Sequence, residues 1–238
     1  MGSLIFFALV AICFLIFGIL ILATSRLEKN DVRTFVPAET NRPDETSPYF
    51  LAMNQAAADM GCRFGGYFVQ KRQKLGSRVC ISLWVSPENH TLILIGGGKV
   101  ARVSYDKTFL RSTIESGRTL ETSDSFGLVD PSDITSKEVL LNAGLPELYA
   151  KHQERLAARQ EGARSFDETR TFEEFEAMET AKVERMREKG LVEYVDPAHS
   201  IWRFTWKGSM RNVLSLVAQA KQGQKQKDRV KLKRPGSA

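Results

Sequence analysis

The spacing of apolar and polar positions changes character along the chain. Leu4 to Ala23 runs for twenty residues without a charge, and fifteen of them are Leu, Ile, Phe or Val. At about 1.5 Å per residue, a helix of that length spans roughly 30 Å, the thickness of a bilayer's hydrocarbon core. A soluble helix needs only one apolar face, whereas this run is apolar on every side. It is read as an uncleaved transmembrane anchor occupying residues 1–25. A secretory signal fits less well, because no basic residue precedes the run and Leu20-Ile21-Leu22-Ala23-Thr24-Ser25 offers no small-x-small cleavage site. Arg26, Lys29 and Arg33 follow it, with no charge before it. The positive-inside rule therefore places the N-terminus outside and the bulk of the chain in the cytoplasm.

Residues 26–47 have mixed charge and few large apolar side chains, with Pro37 and Pro43 among them, and read as a juxtamembrane linker. Ser47-Pro48 then predicts a helix start, Ser47 as cap and Pro48 in the first turn, with Gly61 at its end. Phe50, Met53, Ala57 and Met60 share one face at helical spacing. The period then falls to two. Tyr67 to Val69 follows Gly65-Gly66, and Val79, Ile81, Leu83 and Val85 alternate with Cys80, Ser82 and Trp84. Pro87 to His90 predicts a turn before a strand at Leu92–Ile95. Gly96-Gly97-Gly98 predicts another turn before Val100–Tyr105, and Leu120–Ser123 predicts a last edge strand. Short strands with tight connections imply an antiparallel meander.

From Lys137 the spacing of Val139, Leu140, Leu148, Tyr149 and Leu156 predicts helical packing, interrupted near Gly144-Leu145-Pro146. Residues 151–190 carry nineteen charged side chains in forty, suiting a solvated helix anchored by Phe172, Phe175, Met178, Ala181 and Met186. Leu191–Asp196 and Ile201–Trp206 predict a strand pair, and a last helix runs from Trp206 to Ala220. The expected class is α+β: an N-terminal transmembrane helix, an antiparallel meander sheet with flanking helices, and a C-terminal helix–hairpin–helix unit. The expected divisions are 1–25, 26–47, 48–135 (helix plus sheet), 136–220 (helices with terminal hairpin) and 221–238.

Charge sharpens the picture at one end. The net charge is +6, and residues 221–238 hold seven basic side chains against one acidic, so the rest of the chain is neutral. Too little apolar surface is present in this tail to support folding. Lys221, Lys225, Lys227, Arg229, Lys231, Lys233 and Arg234 are the candidate contacts for an anionic partner. Lipid headgroups attract such a tail at about 1 kcal/mol per basic residue near the surface; nucleic acid is the alternative partner. Ordinary globular composition excludes a wholly disordered or collagen-like chain, and three cysteines exclude a disulfide scaffold.

Motifs of chemistry are sparse. Gly96-Gly97-Gly98-Lys99 is followed by Val100 where a phosphate-binding loop needs Ser or Thr opening a helix. His90, His152 and His199 lie in no zinc spacing, and Cys62 and Cys80, read as reduced apolar fillers, form no Cys-x-x-Cys pair. No catalytic, cofactor or metal residue is assigned.

The stretch from Lys189-Gly190-Leu191-Val192 through Ile201-Trp202-Arg203-Phe204-Thr205-Trp206-Lys207-Gly208 resembles the end of a winged-helix domain over residues 180–220. The resemblance implies phosphate contacts at Arg187, Lys189, Arg203 and Lys207. It departs from that family in lacking a short second helix before Phe172. Its would-be recognition helix also carries Glu173, Glu174, Glu176, Glu179, Glu184 and Glu188, which a phosphate backbone repels. Read from its residues alone, the segment is a hairpin whose Trp202, Phe204 and Trp206 cover a helix. The functional expectation is a membrane-anchored interaction or scaffold module, with a membrane-tethered nucleic-acid binder and a membrane-bound enzyme as alternatives.

Overall fold

A computed structural model describes residues 22–23, 26, 29–31, 35–38, 47–70, 78–100, 103–125, 135–167, 170–199, 201–215 and 218. In chain order the strands are β1 (Asn30–Asp31), β2 (Phe35–Pro37), β3 (Arg63–Gln70), β4 (Arg78–Val85), β5 (Leu92–Val100), β6 (Val103–Ser104), β7 (Lys107–Thr113), β8 (Thr119–Ser123), β9 (Thr135–Val139), β10 (Val192–Asp196) and β11 (Ile201–Phe204). The helices are α1 (Pro48–Asp59), α2 (Leu145–Ala157) and α3 (Thr171–Glu188), and residues 206–215 are also helical. The fold is mixed α+β and divides into two units, residues 33–182 and residues 1–32 with 183–238.

In the larger unit, Ser47 Oγ accepts a hydrogen bond from Phe50 N at 3.1 Å and caps α1, which ends against Gly61 at a φ of +73°. The sheet runs β2-β3-β4-β5-β7-β8-β9, with β6 folded back on β5. Each neighbouring pair on that path is antiparallel except β8–β9, which is parallel. β4 and β5 are covered on both faces, which is why they read as continuous apolar runs. One face sets Cys80, Trp84, Ile93 and Ile95 against Phe50, Met53 and Ala57 of α1 and Leu145 and Leu148 of α2. The other sets Ile81, Leu83, Val85, Leu92 and Leu94 against Phe166 and Phe175, with Phe68 and Phe172 stacked at 4.1 Å. The unit is thus a sheet between helical layers.

Several expectations are corrected. Gly96-Gly97-Gly98 is no turn; it lies inside β5, opposite Ile81, Cys80 and Val79. Glycine is required there because aromatic rings rest on the strand: a Cβ on Gly97 would stand 2.7 Å from Phe50 Cδ2, and one on Gly96 2.9 Å from Tyr105 Cε1. Gly65-Gly66 likewise lies within β3, at a register shift between Phe64 and Gly66. The expected strand Val100–Tyr105 is divided between β5 and β6, and β7 was unforeseen. Leu120–Ser123 is an interior strand, since β9 pairs beyond it, so the sheet is not wholly antiparallel. Lys137 to Val139 belongs to β9, and the following helix begins at Leu145 with proline in its first turn. Residues 151–190 comprise the end of α2 and all of α3, and Ala181 is exposed while Val183 is buried.

The smaller unit is built on the predicted hairpin. β10 and β11 pair around a 3-10 turn at Pro197–His199, and β1 adds to β11 through Asn30↔Trp202 and Asp31↔Ile201. The range expected to be a linker therefore supplies β1 here and β2 to the larger sheet, because edge pairing needs only backbone. Val183, Met186, Leu191, Val192 and Phe204 form the core. Thr205 Oγ1 accepts from Gly208 N at 3.1 Å and caps the helical stretch 206–215. Among the described residues no helix is long and apolar enough to cross a membrane. The run Leu4–Ala23 lies outside them apart from Leu22 and Ala23, which are helical, and residues 221–238 lie outside them entirely.

Candidate functional site

Two polar clusters are built into the sheet of the larger unit. His152, fully buried on α2, stands between Ser112 of β7, 2.9 Å from its Nε2, and Thr122 of β8, 2.9 Å from its Nδ1. Thr122 Oγ1 also accepts from Arg155 at 2.8 Å. The ring's tautomer sets the directions: with the proton on Nε2, Thr122 Oγ1 donates to Nδ1 and Ser112 Oγ accepts, and with the proton on Nδ1 both are reversed. Burial, with Arg155 adding, pushes His152 down to about 3 and keeps the ring neutral.

The second cluster is ionic. Glu121 of β8 accepts from Arg111 Nε at 2.8 Å and from Lys137 Nζ at 2.9 Å, while Arg111 also binds Glu179 of α3. Burial alone would raise Glu121, but Arg111 and Lys137 overcome it and hold the carboxyl down at about 2. Phe109 lies under both cations, 5.7 Å from Arg111 and 5.5 Å from Lys137. Arg111 and Lys137 bind the two carboxylates directly, and Lys182 adds a further positive charge that acts on Glu121. Nearby, Tyr49 donates to Asp124, whose other oxygen accepts from Thr108 N at 2.9 Å, fastening the start of α1 to the sheet. Burial raises both the Tyr49 phenol and the Asp124 carboxyl. Cys62 and Cys80 are buried free thiols, and burial pushes Cys62 up to about 11. Among the described residues no three His, Cys, Asp or Glu side chains gather as a metal site.

In the smaller unit the predicted wing contacts are placed as follows. Arg187 binds Glu184 within α3 at 2.8 Å, and Arg203 binds Glu193 across the hairpin at 2.7 Å. Lys207 Nζ donates to the Lys189 carbonyl at 2.9 Å, bringing those two residues together at the hairpin base. The seven tail residues, from Lys221 to Arg234, lie outside the described residues.

The residue reading missed a different surface. On the helical stretch 206–215, Trp206, Met210 and Leu214 are 54%, 55% and 64% exposed. Their spacing of four sets them on one face, and Ala218, four further, is exposed too. Trp206 was expected to cover a helix; it faces out instead. The inward face carries Gly208, Ser209 and Asn212. A Cβ on Gly208 would stand 1.9 Å from the Leu191 carbonyl oxygen, so only glycine lets the helix seat there. Ser209 Oγ and Asn212 Oδ1 are buried without a hydrogen-bond partner. Beside the stripe, the Arg26 guanidinium lies over the Trp206 ring, 5.2 Å from its centroid. The periodicity was legible, but which side faced inward depended on Gly208.

Compared with known protein families, characterised proteins and solved structures, the chain matches none.

Proposed function

We propose that this is a single-pass membrane protein, anchored by Leu4–Ala23, whose folded units lie on the cytoplasmic side and act as an interaction module. The observation that carries the proposal is the uncharged twenty-residue run with Arg26, Lys29 and Arg33 behind it and no charge ahead. Summed over fifteen strongly apolar residues, insertion is favoured by at most about 5–9 kcal/mol. The ionic and His152 clusters of the larger unit tie α3 and α2 to the sheet. The basic tail, Lys221 to Arg234, adds attraction to anionic headgroups, and the anchor keeps it near the leaflet at high effective concentration.

A second reading, nucleic-acid binding through the hairpin, is favoured by one observation. The three-stranded order β1-β11-β10, entered from α3 and left into a helix, suits a winged unit. Arg187 and Arg203 already carry counter-carboxylates, however, and α3 is acidic, so the membrane reading is preferred.

Washing membranes that contain the full chain with alkaline carbonate tests the anchor. The chain is expected to remain in the membrane pellet, and its release into the supernatant would overturn the proposal.

A further inference from the structure

We infer that the outward face of the helical stretch 206–215 docks on lipid, lying at the headgroup–acyl boundary of the anionic leaflet from which the anchor emerges. The inference rests on reading Leu4–Ala23 as that anchor. It assigns the exposed stripe a partner and a depth, neither of which the anchor alone supplies.

The amphipathicity of the stretch is inverted for a helix of a water-soluble unit. Its large apolar side chains, Trp206, Met210 and Leu214, face outward, while its buried face holds Gly208, Ser209 and Asn212, two of them with unpartnered oxygens. Burying small and polar groups while exposing a tryptophan is unfavourable in water and sensible against an apolar phase. Lys207 and Arg211 each follow a stripe residue by one position, so they flank one edge of it and are exposed. Tryptophan and aliphatics bordered by cations are the composition of a helix lying in a membrane interface.

Arg26 supplies the depth. It stands three residues beyond Ala23 in the sequence, close behind the end of the apolar run. That is headgroup level when the run spans the hydrocarbon core. Trp206, stacked on Arg26, is held at the same level, where tryptophan is enriched. Charge complementarity selects lipid over a protein surface as occupant. Three positions after Ala218 the sequence enters residues 221–238, seven basic against one acidic, which suit the anionic leaflet beneath the stripe.

The test uses the full chain reconstituted in vesicles of phosphatidylcholine and phosphatidylserine, with brominated acyl chains as quencher. Tryptophan emission is expected to be quenched, with the quenched component lost in W206F. M210E/L214E, which alters only exposed positions, is expected to cut that component several-fold and shift the remaining emission to the red. An alkaline carbonate wash of the same vesicles reads the anchor separately. Retention after the wash with no Trp206-dependent quenching would leave the anchor standing and overturn the docking inference. Release with Trp206-dependent quenching intact would remove the anchor and leave a lipid-binding surface. Release without quenching would remove both. Cross-linking of M210C between copies, with Trp206 unquenched, would assign the stripe to a second copy of the chain and overturn the inference.

Discussion

Replacing Glu121 by glutamine destabilises the larger unit by about 3–5 kcal/mol, the usual cost of leaving buried charge uncompensated. The side chain fits unchanged, so no cavity contributes. The loss arises because Arg111 and Lys137 share one carboxylate, and Glu179 alone cannot neutralise two cations. The double variant E121Q/K137M separates a stranded charge from a lost contact. That variant leaves Arg111 paired with Glu179, removes the lysine that E121Q strands, and is expected to recover most of the stability lost by E121Q. In contrast, E184Q removes the partner of Arg187, which is 54% exposed, and is expected to cost no more than about 1 kcal/mol. Urea denaturation followed by Trp84 emission in a W202F/W206F background measures each value. Equal losses for E121Q and for the double variant would show that the stranded Lys137 charge is not the source of the loss.

Acidification from pH 6.5 to pH 5 removes about 1.5 kcal/mol of stability through His152 alone. Its folded value is depressed to about 3 by burial, whereas the unfolded ring titrates at its ordinary value. The stabilising contribution is therefore complete above about pH 6.5 and is lost as pH falls towards the folded value, with a limiting slope of about 1.4 kcal/mol per pH unit. Glu121 is also depressed, and its contribution is lost only below the ordinary carboxylate range, as pH falls towards about 2. Asp124 works the other way, since burial raises it and protonation relieves its cost. Comparison with H152Q over the same window isolates the histidine's share. H152Q is expected to flatten the dependence there, and an unchanged slope in H152Q would place the titrating group elsewhere.

Much of the architecture was legible where the cause is local. Ser47-Pro48 and Gly61 announce α1 because a cap, a fixed φ and a left-handed residue act on the backbone at those positions. Strand β4 announces itself because both of its faces are apolar. Strand β7 does not, since the hydroxyls of its inward residues Thr108 and Ser112 are satisfied by Tyr49 and His152, and a hydropathy pattern scores them as surface. The glycines of β5 read as a turn because their meaning lies in Phe50 and Tyr105, distant residues whose rings rest on them. The parallel pairing of β9 and the addition of β1 to β11 are tertiary events with no local signature. His152 looked inert because its partners stand thirty and forty positions away. The stripe at Trp206, Met210 and Leu214 carries a clear period, but a period does not say which side faces the protein.

The central claim is that the chain crosses the bilayer once through Leu4–Ala23, with its folded units on the cytoplasmic side. Protease digestion of sealed vesicles with the cytoplasmic face outward tests it most directly. The account predicts that the folded units and the tail are digested while a short N-terminal fragment ending near Arg26 stays protected. Digestion without any protected fragment would show that the run does not span, and protection of the whole chain would show the opposite orientation.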